Sequence, residues 1–120
     1  MLAVTGVLEA VTGLGLLVAP SEVVKLLLGA ALGPPAGATL GRVTGVALLA
    51  LGAACWLGRN EAPRVTKGLL TALLLYNVGV VVVLVAAWAG LRLVGIAFWP
   101  VVLAHAALMA WCVASLAMRT

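Results

Sequence analysis

Four runs of about 20 predominantly apolar residues, separated only by short polar breaks, constrain the fold of this chain more than any motif it contains. They cover about Leu2 to Ala19, Thr39 to Leu57, Val65 to Ala89 and Leu93 to Ala117. A helix rises about 1.5 Å per residue, so each run is long enough to cross a hydrocarbon layer roughly 30 Å thick. Composition agrees: 66% of the 120 residues are hydrophobic, 8% are charged and the mean hydropathy is +1.32. A chain this short cannot bury so much apolar surface within itself, and the excess is expected to face lipid. That excludes a secreted disulfide scaffold, a disordered tail and an ordinary cytosolic enzyme. The predicted class is an all-α integral membrane protein, one four-span transmembrane helix bundle over residues 1–120.

The connections carry the remaining signals. The first run has no basic n-region, holds Glu9 mid-run and meets Pro20 rather than a small-residue cleavage site, so it reads as a retained span rather than a signal peptide. After Pro20, Ser21 is a candidate N-cap and Glu22 suits a first turn. The segment to Gly29 is too short to span, and its Glu22 and Lys25 among valines and leucines predict a short amphipathic helix in the membrane interface. Gly33-Pro34-Pro35-Ala36-Gly37 then leads into the second span, Arg59 to Lys67 forms a polar loop, and Ala89-Gly90-Leu91-Arg92 reads as a tight turn.

The formal charge of +4 comes from scattered Lys and Arg residues without a stripe that could follow phosphates, so nucleic acid is not an expected partner. Arg59, Arg64, Lys67 and Arg119 fall on one side of a four-span chain, against Lys25, Arg42 and Arg92. This bias places both termini in the cytoplasm of a multi-pass cell-membrane protein. Trp88 and Trp99 are expected at one interface, with Trp56 and Trp111 nearer the other. Cys55 and Cys112 lie in apolar runs and read as small buried hydrophobes. Gly6 and Gly13, a heptad apart, and Gly41 and Gly45, spaced GxxxG, permit close helix approach within the bundle or in a homo-oligomer or membrane complex, and Gly79 interrupts a valine-rich span.

Ionisable side chains inside a bilayer cost about 2.5–3.5 kcal/mol each on insertion scales, so each needs a partner. Glu9, His105 and Asn77 all approach the midplane of an up-down bundle, with Tyr76 beside Asn77. Thr5, Thr12 and Gly13 are expected to share one polar, narrow face with Glu9. The expected site has Glu9 and His105 as catalytic acid–base partners, Tyr76 and Asn77 as orienting, substrate-binding donors, and Arg42 reaching down from the second span as an electrostatic cap. Such a carboxyl and imidazole can be tuned to exchange a proton near neutral pH. No metal site and no cofactor are expected, since one histidine cannot supply a bis-histidine haem and neither a P-loop nor a GxGxxG is present.

Pro20, the short amphipathic segment and Gly41-Arg42-Val43-Thr44-Gly45 resemble the small bacterial four-helix membrane proteins of the DoxX-like kind, which implies architecture and no particular activity. Leu8-Glu9-Ala10-Val11-Thr12-Gly13 is similar to helix one of the small multidrug resistance transporters, which implies a homodimer exchanging protons for substrate at Glu9. Arg42 and His105 stand outside that family's pattern. Three functions follow as expectations. The bundle binds a hydrophobic small molecule, with acid–base chemistry of the isomerase, epoxide-opening or cyclase type at Glu9 and His105. Alternatively it is an accessory or structural membrane subunit, or a proton-coupled transporter using Glu9.

Overall fold

The computed structural model describes residues 1–119, and among these it is all-helical, with five helices and no strand. They are α1 (Leu2–Val18), α2 (Pro20–Leu28), α3 (Ala36–Gly58), α4 (Pro63–Leu91) and α5 (Phe98–Ala117). By length and composition α3, α4 and α5 can each cross a membrane; α1 and α2 pass the same test only as a pair, bent by 117° at their junction. The 29 residues of α4 amount to about 43 Å of helix, which accounts for the 44 Å long axis of the molecule.

Prolines set the helix starts. Pro20 occupies the first position of α2, where its missing N–H costs nothing, and Ala19 rather than Ser21 is the N-cap. Pro63 opens α4 in the same way. The last helix begins at Phe98 rather than near Leu93, which puts Pro100 in its first turn. A start at Leu93 would place Pro100 in a helix interior and break a backbone hydrogen bond. Correspondingly, the residues expected to form a turn at Ala89 to Leu91 are the last turn of α4, and the chain reverses at Arg92, whose φ of 56° is left-handed.

Packing divides the bundle into two helix pairs. The α1 and α3 backbones run antiparallel in close contact, and α4 packs along α5; the two pairs approach each other through α3 and α4, and α2, which packs on α1 and α3, bridges to α5. Glycines create the first interface: Gly6 faces Gly52 and Gly13 faces Gly45, so the heptad on α1 meets a heptad on α3. Gly41 instead accommodates Pro20 and Leu32, while Gly79 has open space where a side chain would be.

A backbone staple joins α2 to the α4–α5 connection. The last carbonyls of a helix have no partner within it. Here the amides of Gly95 and Ala97 donate to the carbonyls of Leu27 and Leu26, both at 2.9 Å. Gly29, with φ 73°, ends α2. Two apolar clusters fill the bundle, one of Leu2, Cys55, Leu70, Leu73 and Cys112 and the other of Leu84, Phe98 and Val102. On α4 and α5 these clusters bracket Tyr76, Asn77 and His105.

Candidate functional site

The polar residues expected at mid-depth meet at the seam between the two helix pairs. Glu9 on α1 is 4% exposed, and its Oε2 accepts a hydrogen bond from the Tyr76 hydroxyl of α4 at 3.1 Å. Residues 9 and 76 belong to different pairs, so this bond ties the halves of the bundle together. On the other side of Tyr76 lies the His105 ring of α5, edge-on with centroids 5.6 Å apart.

Asn77 is fully buried and fixes the imidazole. Its Nδ2 donates to the Leu73 carbonyl one turn back at 2.7 Å, which leaves Oδ1 facing His105 Nδ1, also at 2.7 Å. The amide orientation therefore dictates the neutral tautomer: an acceptor opposite Nδ1 holds the ring proton there, and the Nε2 lone pair is left to accept. Glu9, Tyr76, His105 and Asn77 thus form one contiguous polar group.

Two expected contacts differ. Glu9 takes Tyr76 as its hydrogen-bond partner, not His105, which adjoins it only through the phenol ring. Arg42 does not descend toward Glu9. Its side chain is exposed, and Nε donates to the Leu17 carbonyl at 3.3 Å, at the C-terminal end of α1 where a cation complements the helix dipole. Thr12 also turns away, because the face of α1 that packs inward is Leu2, Thr5, Gly6, Glu9, Gly13 and Leu16. The Thr12 hydroxyl bonds back to the Leu8 carbonyl at 2.9 Å instead.

Thr5, one turn before Glu9 on that inward face, is fully buried and its Oγ1 has no hydrogen-bond partner. A buried hydroxyl left unpaired costs about 1–3 kcal/mol. Its spacing from Glu9 marks the face, but only the packing distinguishes it from Thr12. Cys55 and Cys112 are free thiols, both fully buried in one cluster, although they are 57 positions apart by their numbers. Among the described residues, no three His, Cys, Asp or Glu side chains gather as metal ligands would.

Tyr76 also reaches the outer surface. With Leu75, Gly79, Val80, Val83 and Leu84 it lines an apolar, outward-open groove of about 450 Å³ on α4. The open space at Gly79 forms part of its floor. The phenol therefore has Glu9 on one side and a lateral apolar surface on the other. No protein-family model, curated protein or solved structure matches the chain, so its chemistry rests on this geometry.

Proposed function

We propose that the chain is a four-span integral membrane protein whose seam takes an apolar small molecule bearing a hydroxyl, carbonyl or epoxide oxygen. Supporting four spans, α1 lies antiparallel along α3 through the facing glycines, so a bilayer crossed by α3 is crossed by α1 as well. The sharp bend at Pro20 then lays α2 across the bundle end, in the interface. The end bearing Arg59, Arg64, Lys67 and Arg119 faces the cytoplasm.

The observation that carries this reading is the Tyr76–Glu9 hydrogen bond at a seam beside a laterally open apolar groove. A ligand oxygen entering from the groove beside Tyr76 would meet a phenol hydroxyl backed by the Glu9 carboxyl group, with the His105 ring edge-on to the same phenol. Those groups can remove a proton at one atom of the ligand and return one at another, as isomerisation, epoxide opening or cyclisation requires. Glu9 and His105 supply the acid and base, Tyr76 holds the Glu9 carboxyl group through its hydrogen bond, and Asn77 is a positioning residue for the imidazole.

The test is native mass spectrometry of protein extracted gently from its own membranes. Wild-type protein is expected to carry a lipophilic molecule, and Glu9→Gln and Tyr76→Phe to lose it while keeping the wild-type helical circular dichroism. A bare wild-type protein, or a ligand retained in both variants, would overturn the reading.

A further inference from the structure

A second cavity lies at the opposite end of the bundle from the α2 staple. It measures about 370 Å³, opens to the outside, and is lined by the start of α1, the α3–α4 loop, the first turns of α4 and the end of α5. Two arginines line it, Arg59 at the C-cap of α3 and Arg119 beyond α5, and among the described residues no carboxylate does. The polar groups between them are Asn60, Thr66 and Ser115, while Leu2, Leu70 and Trp111 make the floor apolar.

Arg59 is held in place rather than dangling. Its guanidinium stacks on the Trp56 ring, 4.1 Å from the centroid, and donates from one nitrogen to the Trp56 carbonyl. A guanidinium has five N–H donors in a planar fork, so the remaining donors can address an anion bidentately. The Thr66 hydroxyl is committed to the Glu61 and Ala62 carbonyls. Helix-dipole complementarity explains one arginine at each C-terminal end, but it does not require that two such ends converge on one cavity that also holds the Ser115 hydroxyl and the Asn60 amide.

We propose that this cavity binds a phosphate group, with the phosphate of an anionic phospholipid as the occupant and its acyl chains leaving over the apolar floor. The cavity sits where the helices end, at the depth of headgroups if the helices cross the bilayer. The inference rests on that bilayer placement and not on the chemistry of the Glu9 seam.

The experiment uses the whole protein in lipid nanodiscs of phosphatidylcholine mixed with phosphatidic acid, with retained lipid counted by native mass spectrometry. Wild-type protein is expected to retain phosphatidic acid preferentially. The double variant R59Q/R119Q should lose roughly 25-fold of that preference, the product of about fivefold for each cation removed near a membrane surface. R59K/R119K keeps the charge but loses the planar fork and the stacking on Trp56, so it should fall between wild type and R59Q/R119Q. An R59K/R119K preference no better than that of R59Q/R119Q, in a protein of unchanged helicity, would overturn the role of charge. R64Q/K67Q removes equal charge from the same end without touching the cavity. If it matches R59Q/R119Q, the attraction is that of the whole surface and the site is overturned. Inorganic phosphate added to protein in pure phosphatidylcholine distinguishes the source: failure to bind is expected, whereas binding abolished by R59Q/R119Q would overturn the lipid and identify free phosphate.

Discussion

Gly13→Ala is expected to destabilise the folded protein by about 1–3 kcal/mol, seen as a lowered melting temperature in detergent, because the added methyl overlaps backbone. A Cβ at Gly13 would lie 2.7 Å from the Gly45 carbonyl oxygen and 2.9 Å from the Leu49 nitrogen. Neither is the end of a flexible side chain, so α1 and α3 must move apart along their contact. The better helix propensity of alanine returns at most about 1 kcal/mol of that. Gly45→Ala is expected to act alike, since its Cβ would be 2.7 Å from the Gly13 carbonyl oxygen. Combining the two should cost less than their sum, because both methyls separate the same two backbones. Gly79→Ala provides the comparison: nothing lies within 4 Å of its Cβ, and the change should be neutral or slightly stabilising. Equal melting temperatures for Gly13→Ala and Gly79→Ala would contradict the packing of α1 on α3.

The second large effect is expected at Gly95. Its Cβ would run into the Leu26 carbonyl and lie 2.8 Å from the Lys25 carbonyl oxygen, so Gly95→Ala must push the connection off the end of α2. The cost combines about 1–3 kcal/mol of overlap with roughly 1 kcal/mol for each of two backbone hydrogen bonds, those from Gly95 and Ala97. Gly29→Ala should weaken the same staple, since Gly29 has a φ of 73° and its Cβ would meet the Val94 carbonyl. Amide exchange at Ala97 reports the staple directly. It should accelerate in Gly95→Ala, and unchanged protection there would show that the hydrogen bond to Leu26 does not hold the two helix pairs together.

Much of this architecture is legible in the chain because apolar runs and prolines act locally. The helices, the short α2 after Pro20 and the glycine stop at residue 29 all follow from neighbouring residues. The discrepancies have long-range causes. The amides of Gly95 and Ala97 find partners on α2, some seventy positions earlier in the numbering, and nothing near residue 95 announces that. Depth along a helix can be counted in sequence, which brings Glu9, Asn77, Tyr76 and His105 to one level. Facing cannot be counted, because it depends on the order of helices around the bundle. Tyr76, one position before the buried Asn77, is thus the group that reaches Glu9, while Arg42 serves the end of α1. The Gly6 and Gly13 heptad is visible in the sequence, but that it opposes Gly52 and Gly45, rather than the GxxxG pair Gly41 and Gly45, is set by the antiparallel register of α1 and α3.

The central claim is that Glu9 and Tyr76 meet across the seam, and solid-state NMR in lipid bilayers tests it most directly. The chain has one tyrosine and one histidine, so carbon-13 labels on both and on glutamate carboxyls give few signals to assign. Comparison with Glu9→Gln identifies the Glu9 resonance. The account predicts a through-space cross-peak between the Glu9 carboxyl carbon and the Tyr76 phenol carbon, together with one between the Tyr76 and His105 rings. A Tyr76–His105 cross-peak without any Glu9–Tyr76 cross-peak would mean that the helix pairs do not close on each other as described, and it would contradict the account.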